Sequence, residues 1–154
     1  MKTLITSALV CIVMAFSASA NAQSFSFTAS SEGDTQLGGI GPGGALYSGR
    51  HWGGSYTATF DGEEPQKGTY ECVSTTQPPG LFMAHTACTM VQGDGSFTSS
   101  WGCNALGDEP TELLCVAGVY GRTGRFEGMV GGATSHNRGD ETSGVGQFFK
   151  PGNQ

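Results

Sequence analysis

The sequence predicts an all-β chain: a single antiparallel β-barrel of about eight strands, fastened by two disulfides. Three observations predict it. Short runs that alternate apolar and polar residues recur between turn signals, and nothing after the first two dozen residues sustains a helical period. Four cysteines fall in residues 23–154, an even number. All 26 glycines lie in the same region, several inside the alternating runs, where they let strands bend sharply enough to close.

The first 22 residues stand apart. Lys2 supplies a positive start and an uncharged, mostly apolar run follows from Leu4 to Ala18. The small-residue patterns Ala18-Ser19-Ala20 and Ala20-Asn21-Ala22 come next. This is the pattern of a secretory signal peptide, with cleavage expected after Ala22. The run is shorter than the ~20 residues a membrane span needs, and no second long apolar run follows. The expectation is an exported protein, periplasmic or extracellular, without stable membrane insertion.

Residues 23–154 suit one barrel domain. Losing Lys2, the one charged residue of the leader, takes the net charge from −6 to about −7. A nucleic-acid partner is not expected, because phosphate neutralisation needs clustered Lys and Arg, and only Arg122 and Arg125 sit close together.

The strands read in order. Residues 24–30, SFSFTAS, alternate Phe25 and Phe27 with small polar residues. Residues 33–44, GDTQLGGIGPGG, read as a flexible Gly-rich loop. GSYTATF then places Tyr56, Ala58 and Phe60 on one face. After the connection DGEEPQKG, GTYECVSTT repeats the alternation with Tyr70 and Cys72. QPPG is a turn, since proline pre-sets φ and glycine accepts positive φ. LFMAHTACTM aligns Phe82, Ala84, Thr86, Cys88 and Met90. GDG at 93–95 marks a hairpin. SFTSSWGC aligns Phe97, Trp101 and Cys103, and ELLCVAGVY is more continuously apolar. GRFEGMV reads as a strand carrying Phe126, Gly128 and Val130, with Arg125 and Glu127 as a solvated pair on its other side. SHNRGDE reads as a loop before the last strand, TSGVGQFF. Eight or nine such runs fit a barrel or a sandwich, and the glycines within them favour the barrel.

Four cysteines allow three pairings. Cys72–Cys88 and Cys103–Cys115 are preferred, because each would join neighbouring strands of a hairpin. There is no C-x-x-C, so no structural metal site is expected.

The stretch GVYGRTGRFEGMVGG, residues 118–132, invites a phosphate-loop reading. It lacks the Lys of a P-loop and the G-x-G-x-x-G spacing, and a strand rather than a helix follows. It reads instead as a barrel corner. Within it, GRTGRFEGMVGGAT resembles the G-x-T-G-x-F-x-G signature of the allene oxide cyclase and dirigent β-barrel superfamily. The closing GVGQFF resembles the last strand of those barrels. The wider pattern of Gly68-Thr69-Tyr70-Glu71-Cys72, Trp101-Gly102-Cys103 and Cys115 resembles small exported bacterial proteins of unknown function, whereas the plant enzymes lack these cysteines. The resemblance implies a barrel that confines a small apolar molecule, with no cofactor.

Catalytic candidates are few. His85 lies mid-strand on the face opposite Cys88, and an imidazole lining a cavity there would serve as an acid or base near neutral pH. Glu71 lies mid-strand beside Tyr70, and an internal carboxylate would have a raised pKa. Tyr56, Tyr70, Phe82 and Trp101 are the candidate ligand contacts. His51, beside Trp52, reads as an ordinary surface residue before a pocket-rim one, and His136 as an exposed loop residue. RGD at 138–140 is too short to carry an adhesion claim. No G-x-S-x-G elbow or EF-hand spacing occurs. The functional expectation is an exported barrel that binds a small apolar ligand. The alternatives are a packed, non-catalytic envelope or secreted interaction module, and a cyclase- or isomerase-like enzyme.

Overall fold

The structure is a computed structural model that describes residues 22–41, 46–75, 82–107 and 109–152. The leader expectation for residues 1–22 falls almost entirely outside the described residues, as do the QPPG turn and Pro42–Gly44.

Eight antiparallel strands follow one another around a closed barrel: β1 (Gln23–Ile40), β2 (Leu46–Phe60), β3 (Gln66–Thr75), β4 (Ala84–Gln92), β5 (Gly95–Leu106), β6 (Glu109–Thr123), β7 (Val130–Arg138) and β8 (Glu141–Phe149). Each strand pairs with the next, and β1 closes the ring against β8 through Gln23–Ser30. Over that stretch, closure leaves neither β1 nor β8 with a free edge. The expected fold class and both disulfides are present: Cys72–Cys88 joins β3 to β4, and Cys103–Cys115 joins β5 to β6. In each pair the two cysteines stand directly opposite in the strand register.

The interior is built in two halves. One end is packed by Phe25, Phe60, Phe97, Phe126 and Phe148, all buried. Their ring centroids lie 4.9–5.9 Å apart along the chain of contacts from Phe25 through Phe60, Phe126, Phe97 and Phe148. Tilted and edge-on rings at that spacing pack well as a core. Phe27 lies 6.1 Å from Phe25 and 6.2 Å from Trp101 and forms the boundary with the other half.

Glycine makes room for these rings. Four inward aromatic residues face a glycine directly across the strand pair: Phe25 and Gly146, Phe27 and Gly144, Tyr56 and Gly68, Tyr70 and Gly54. A Cβ on any of the four glycines would collide with its partner ring. The ring lies over bare backbone, so a narrow barrel accepts large side chains without a clash.

The segment 118–132 closes the packed end. β6 runs on to Thr123, and a single 3₁₀ turn, Gly124–Phe126, swings Phe126 into the core at 1 % exposure. A Cβ at Gly121 would overlap the Phe126 carbonyl oxygen. The expected strand across 124–130 is therefore a turn as far as Met129, because Phe126 serves as a plug rather than as a wall residue.

Three other expectations change. Residues 33–40 are not a loop: after a bulge at Gly33 (φ 67°), β1 resumes pairing with β2 as far as Ile40. Residues 135–138 belong to β7, and the turn is confined to Gly139 and Asp140. Arg125 turns from Glu127 toward Glu63, at 2.5 Å.

Candidate ligand cup

The half of the barrel away from Phe126 is hollow. A cavity of about 240 Å³ opens at the end where β3 finishes and β4 begins. Its position follows from residue size. Beyond Phe27 the inward residues become small: Ala29 and Ser31 on β1, Ser74 on β3, Ala84 and Thr86 on β4, Ser135 on β7. The same alternation that packs one end leaves the other unfilled.

Phe27, Trp52, Tyr70 and Trp101 supply the aromatic wall. Met90 and all four disulfide cysteines supply sulfur. The polar groups are partly engaged already. The Tyr70 hydroxyl lies 3.0 Å from Ser31 Oγ and donates to the Ser30 carbonyl at 3.1 Å. Trp101 Nε1–H donates to Ser99 Oγ at 2.8 Å, and Ser135 Oγ donates to Asn137 Oδ1 at 3.0 Å. Ser74, Thr86 and Thr142 present hydroxyls that find no side-chain partner among the described residues.

Charge is held at the rim. The bulge at Gly33 shifts the phase of β1 while β2 continues, so Arg50 and Trp52 both keep facing the barrel axis. Arg50 Nε–H donates to Asp34 Oδ1 at 2.8 Å, and its guanidinium lies 4.9 Å from the Trp52 ring. Asp140 is the other charged residue there. The wall below is uncharged, which suits a neutral molecule: a carboxylate or ammonium group placed there would be desolvated without a partner.

The residues expected from sequence divide. Tyr70 and Trp101 line the cup. Tyr56 points inward but is packed in the filled half, 4 % exposed; burial pushes its phenol well above the ordinary value. Phe82 lies outside the wall, its ring over Gly102 and edge-on to His85 at 5.5 Å. His85 and Glu71 are both outward. The Glu71 side chain is 79 % exposed and meets His51, also outward, at 3.9 Å. His136 is on the outer face of β7, 3.4 Å from Glu112, a carboxyl held below its usual range by hydrogen bonds from Arg138 and His136.

Phe27, Trp52, Met90, Ser31 and Asn137 also line the cup, beyond the ligand contacts expected from the sequence. The cysteines carry the inward phase. Once Cys72 and Cys88 are bonded among apolar neighbours, every second residue shares their inward face, which sends Tyr70, Thr86 and Met90 in and Glu71 and His85 out.

Larger depressions lie on the outer wall. One, about 960 Å³, runs among residues such as Ser26, Thr57, Val116, Thr134 and Val145. It is shallow and open to solvent, and no charged groups converge in it. Among the described residues, no three His, Cys, Asp or Glu side chains converge as a metal site. No family model, curated protein or solved structure matches the chain.

Proposed function

We propose that this is an exported binding protein that holds a small, neutral, largely apolar molecule in its half-open barrel. The carrying observation is the asymmetry of the interior. One half is filled by phenylalanine, and the other keeps about 240 Å³ behind an aromatic and sulfur wall, charged only at its rim, whose Ser74, Thr86 and Thr142 hydroxyls find no side-chain partner among the described residues. That space equals about eight water molecules, room for a one- or two-ring ligand. A few polar groups on an otherwise apolar concave wall are the common form of small-molecule sites.

Export is supported by the leader-like residues 1–22 and by two disulfides, which persist in oxidising compartments. The outer wall mixes polar residues such as Ser26, Thr28, Thr57, Lys67 and Glu71 with exposed Leu114, Val116 and Val145. The resemblance to allene oxide cyclase and dirigent barrels agrees with confinement of an apolar molecule. Cyclase or isomerase chemistry would need to run by confinement and hydroxyl contacts, since His85 and Glu71 face away from the cup. The packed end favours a second reading, a barrel whose interior serves stability alone and whose loops make its contacts.

Native mass spectrometry of protein recovered from the periplasm or medium separates the two. A bound small molecule that is released on unfolding supports the cup. Ligand-free protein that also fails to bind neutral aromatic probes at millimolar concentration leaves the second reading.

A further inference from the structure

β1 is longer than the barrel needs. It pairs with β8 only through Gln23–Ser30, and the Ser31 N–H reaches the Asp140 carbonyl at 3.2 Å. Past the Gly33 bulge, residues Asp34–Ile40 pair with β2 on one side. Among the described residues nothing pairs on the other side. Among the described residues this is the one long open edge of the sheet.

Natural edge strands are blunted by Lys, Pro, bulges, short length or a covering element, and here the bulge at Gly33 precedes the edge rather than interrupting it. This edge, Asp34-Thr35-Gln36-Leu37-Gly38-Gly39-Ile40, contains neither Lys nor Pro. Its single charge, Asp34, is already paired with Arg50 on β2 at 2.8 Å. Leu37 and Ile40 are 72 % and 78 % exposed, the highest values among the large apolar residues. Unpaired backbone donors and acceptors beside exposed apolar side chains are the requirements for strand addition.

We infer that this edge takes a second copy of the same chain, in antiparallel register centred on Leu37. An antiparallel edge is its own complement under a two-fold axis: donors meet acceptors, and each residue that contacts another is contacted in return. Centred this way, the two Leu37 side chains meet, and Asp34 of one copy lies beside Ile40 of the other. No like charges face each other. The edge's one carboxylate is neutralised by Arg50, so repulsion at the joint is low. Seven residues a side is a small interface, below the size of stable complexes, so association is concentration-dependent. The same hairpin carries Arg50 and Trp52 to the cup, so pairing braces the rim, but the inference does not rest on a ligand.

Sedimentation equilibrium of the mature chain from micromolar to millimolar concentration tests it. The weight-average mass is expected to rise toward two chains, and the double variant Leu37→Lys/Ile40→Lys is expected to remain monomeric with an unchanged circular dichroism spectrum. Leu37→Cys should cross-link into a covalent dimer under mild oxidation, whereas Lys67→Cys on the exposed outer wall should not. A wild-type chain that stays monomeric throughout overturns the inference. So does a double-lysine variant that associates like wild type, or cross-linking that is equal at both positions.

Discussion

Arg125 and Glu63, 62 residues apart in sequence, form a two-pronged ion pair across the packed end of the barrel, with nitrogen–oxygen distances of 2.5 and 2.6 Å. The guanidinium lies 4.6 Å from the Phe60 ring and 5.5 Å from that of Phe126. The Gln23 and Gln66 amides also donate to the same carboxylate. The phenylalanine core is thereby roofed by a cation whose charge is satisfied at its edge and whose flat face rests on aromatic rings.

This roof should show in acid. The hydrogen bonds from Arg125 hold the Glu63 carboxyl below its ordinary value of 4.5. The unfolded chain therefore binds the proton more readily. The contribution is fully present above about pH 4.5 and is lost as pH falls through the lower folded value. Glu63→Gln is expected to cost about 1 kcal/mol at pH 7, a drop of roughly 3 °C in Tm. The gap between wild type and variant should close as melts are taken from pH 5 down to pH 3. A gap that is constant with pH would mean that the charge plays no part.

The turn that delivers Phe126 gives a paired prediction. A Cβ at Gly121 would overlap the Phe126 carbonyl, whereas a Cβ at Gly128 meets nothing within 4 Å and suffers only its positive φ of 72°. Gly121→Ala should displace the plug and cost about 3 kcal/mol or more. Gly128→Ala should cost roughly 1 kcal/mol. Urea denaturation of both variants orders them, and equal losses would contradict the plug.

Residue type and spacing carried most of the wall in the sequence. Tyr70, Cys72, Cys88, Trp101 and Cys103 were aligned correctly because period-two alternation is a property of the strand itself. What escaped depended on contacts between distant segments. The run from Arg125 to Val130 alternates like a strand, yet Phe126 leaves the wall to fill the space between Phe60, Phe97 and Phe148. The glycines at 144 and 146 suggested bends. Their actual role is to make room for Phe27 and Phe25 across the strand pair, and that needs the register rather than the local sequence. Residues 33–40 looked like a loop by composition, and pairing with β2 overrode that. The cup was hidden for the same reason: an absence of large side chains is spread over four strands and has no local signature.

The two disulfides should be separately measurable. They close loops with sequence separations of 16 and 12, and in the chain-entropy view each contributes about 3 kcal/mol. Cys72→Ala/Cys88→Ala and Cys103→Ala/Cys115→Ala should each lower the urea midpoint substantially. Because all four cysteines line the cup, each double variant should also weaken whatever ligand is held there. A double variant with wild-type stability would show that closure of the sheet alone fixes the wall.

Neighbouring residues on β4 give the sharpest test of the cup, because they face opposite ways. Thr86 points inward, opposite Ser74 on β3 and Trp101 on β5, while His85 is exposed on the outer wall. Thr86→Phe places a ring in empty space already bounded by aromatic residues, so it should leave stability near wild type or raise it. The same ring takes the volume a ligand would use. Calorimetric titration with a neutral two-ring aromatic should therefore show at least a tenfold loss of affinity in Thr86→Phe. His85→Ala should bind as wild type does, because its side chain never reaches the interior. If His85→Ala lost binding while Thr86→Phe kept it, the ligand would be sitting on the outer wall near Phe82, and the cup would be unfilled space rather than a site.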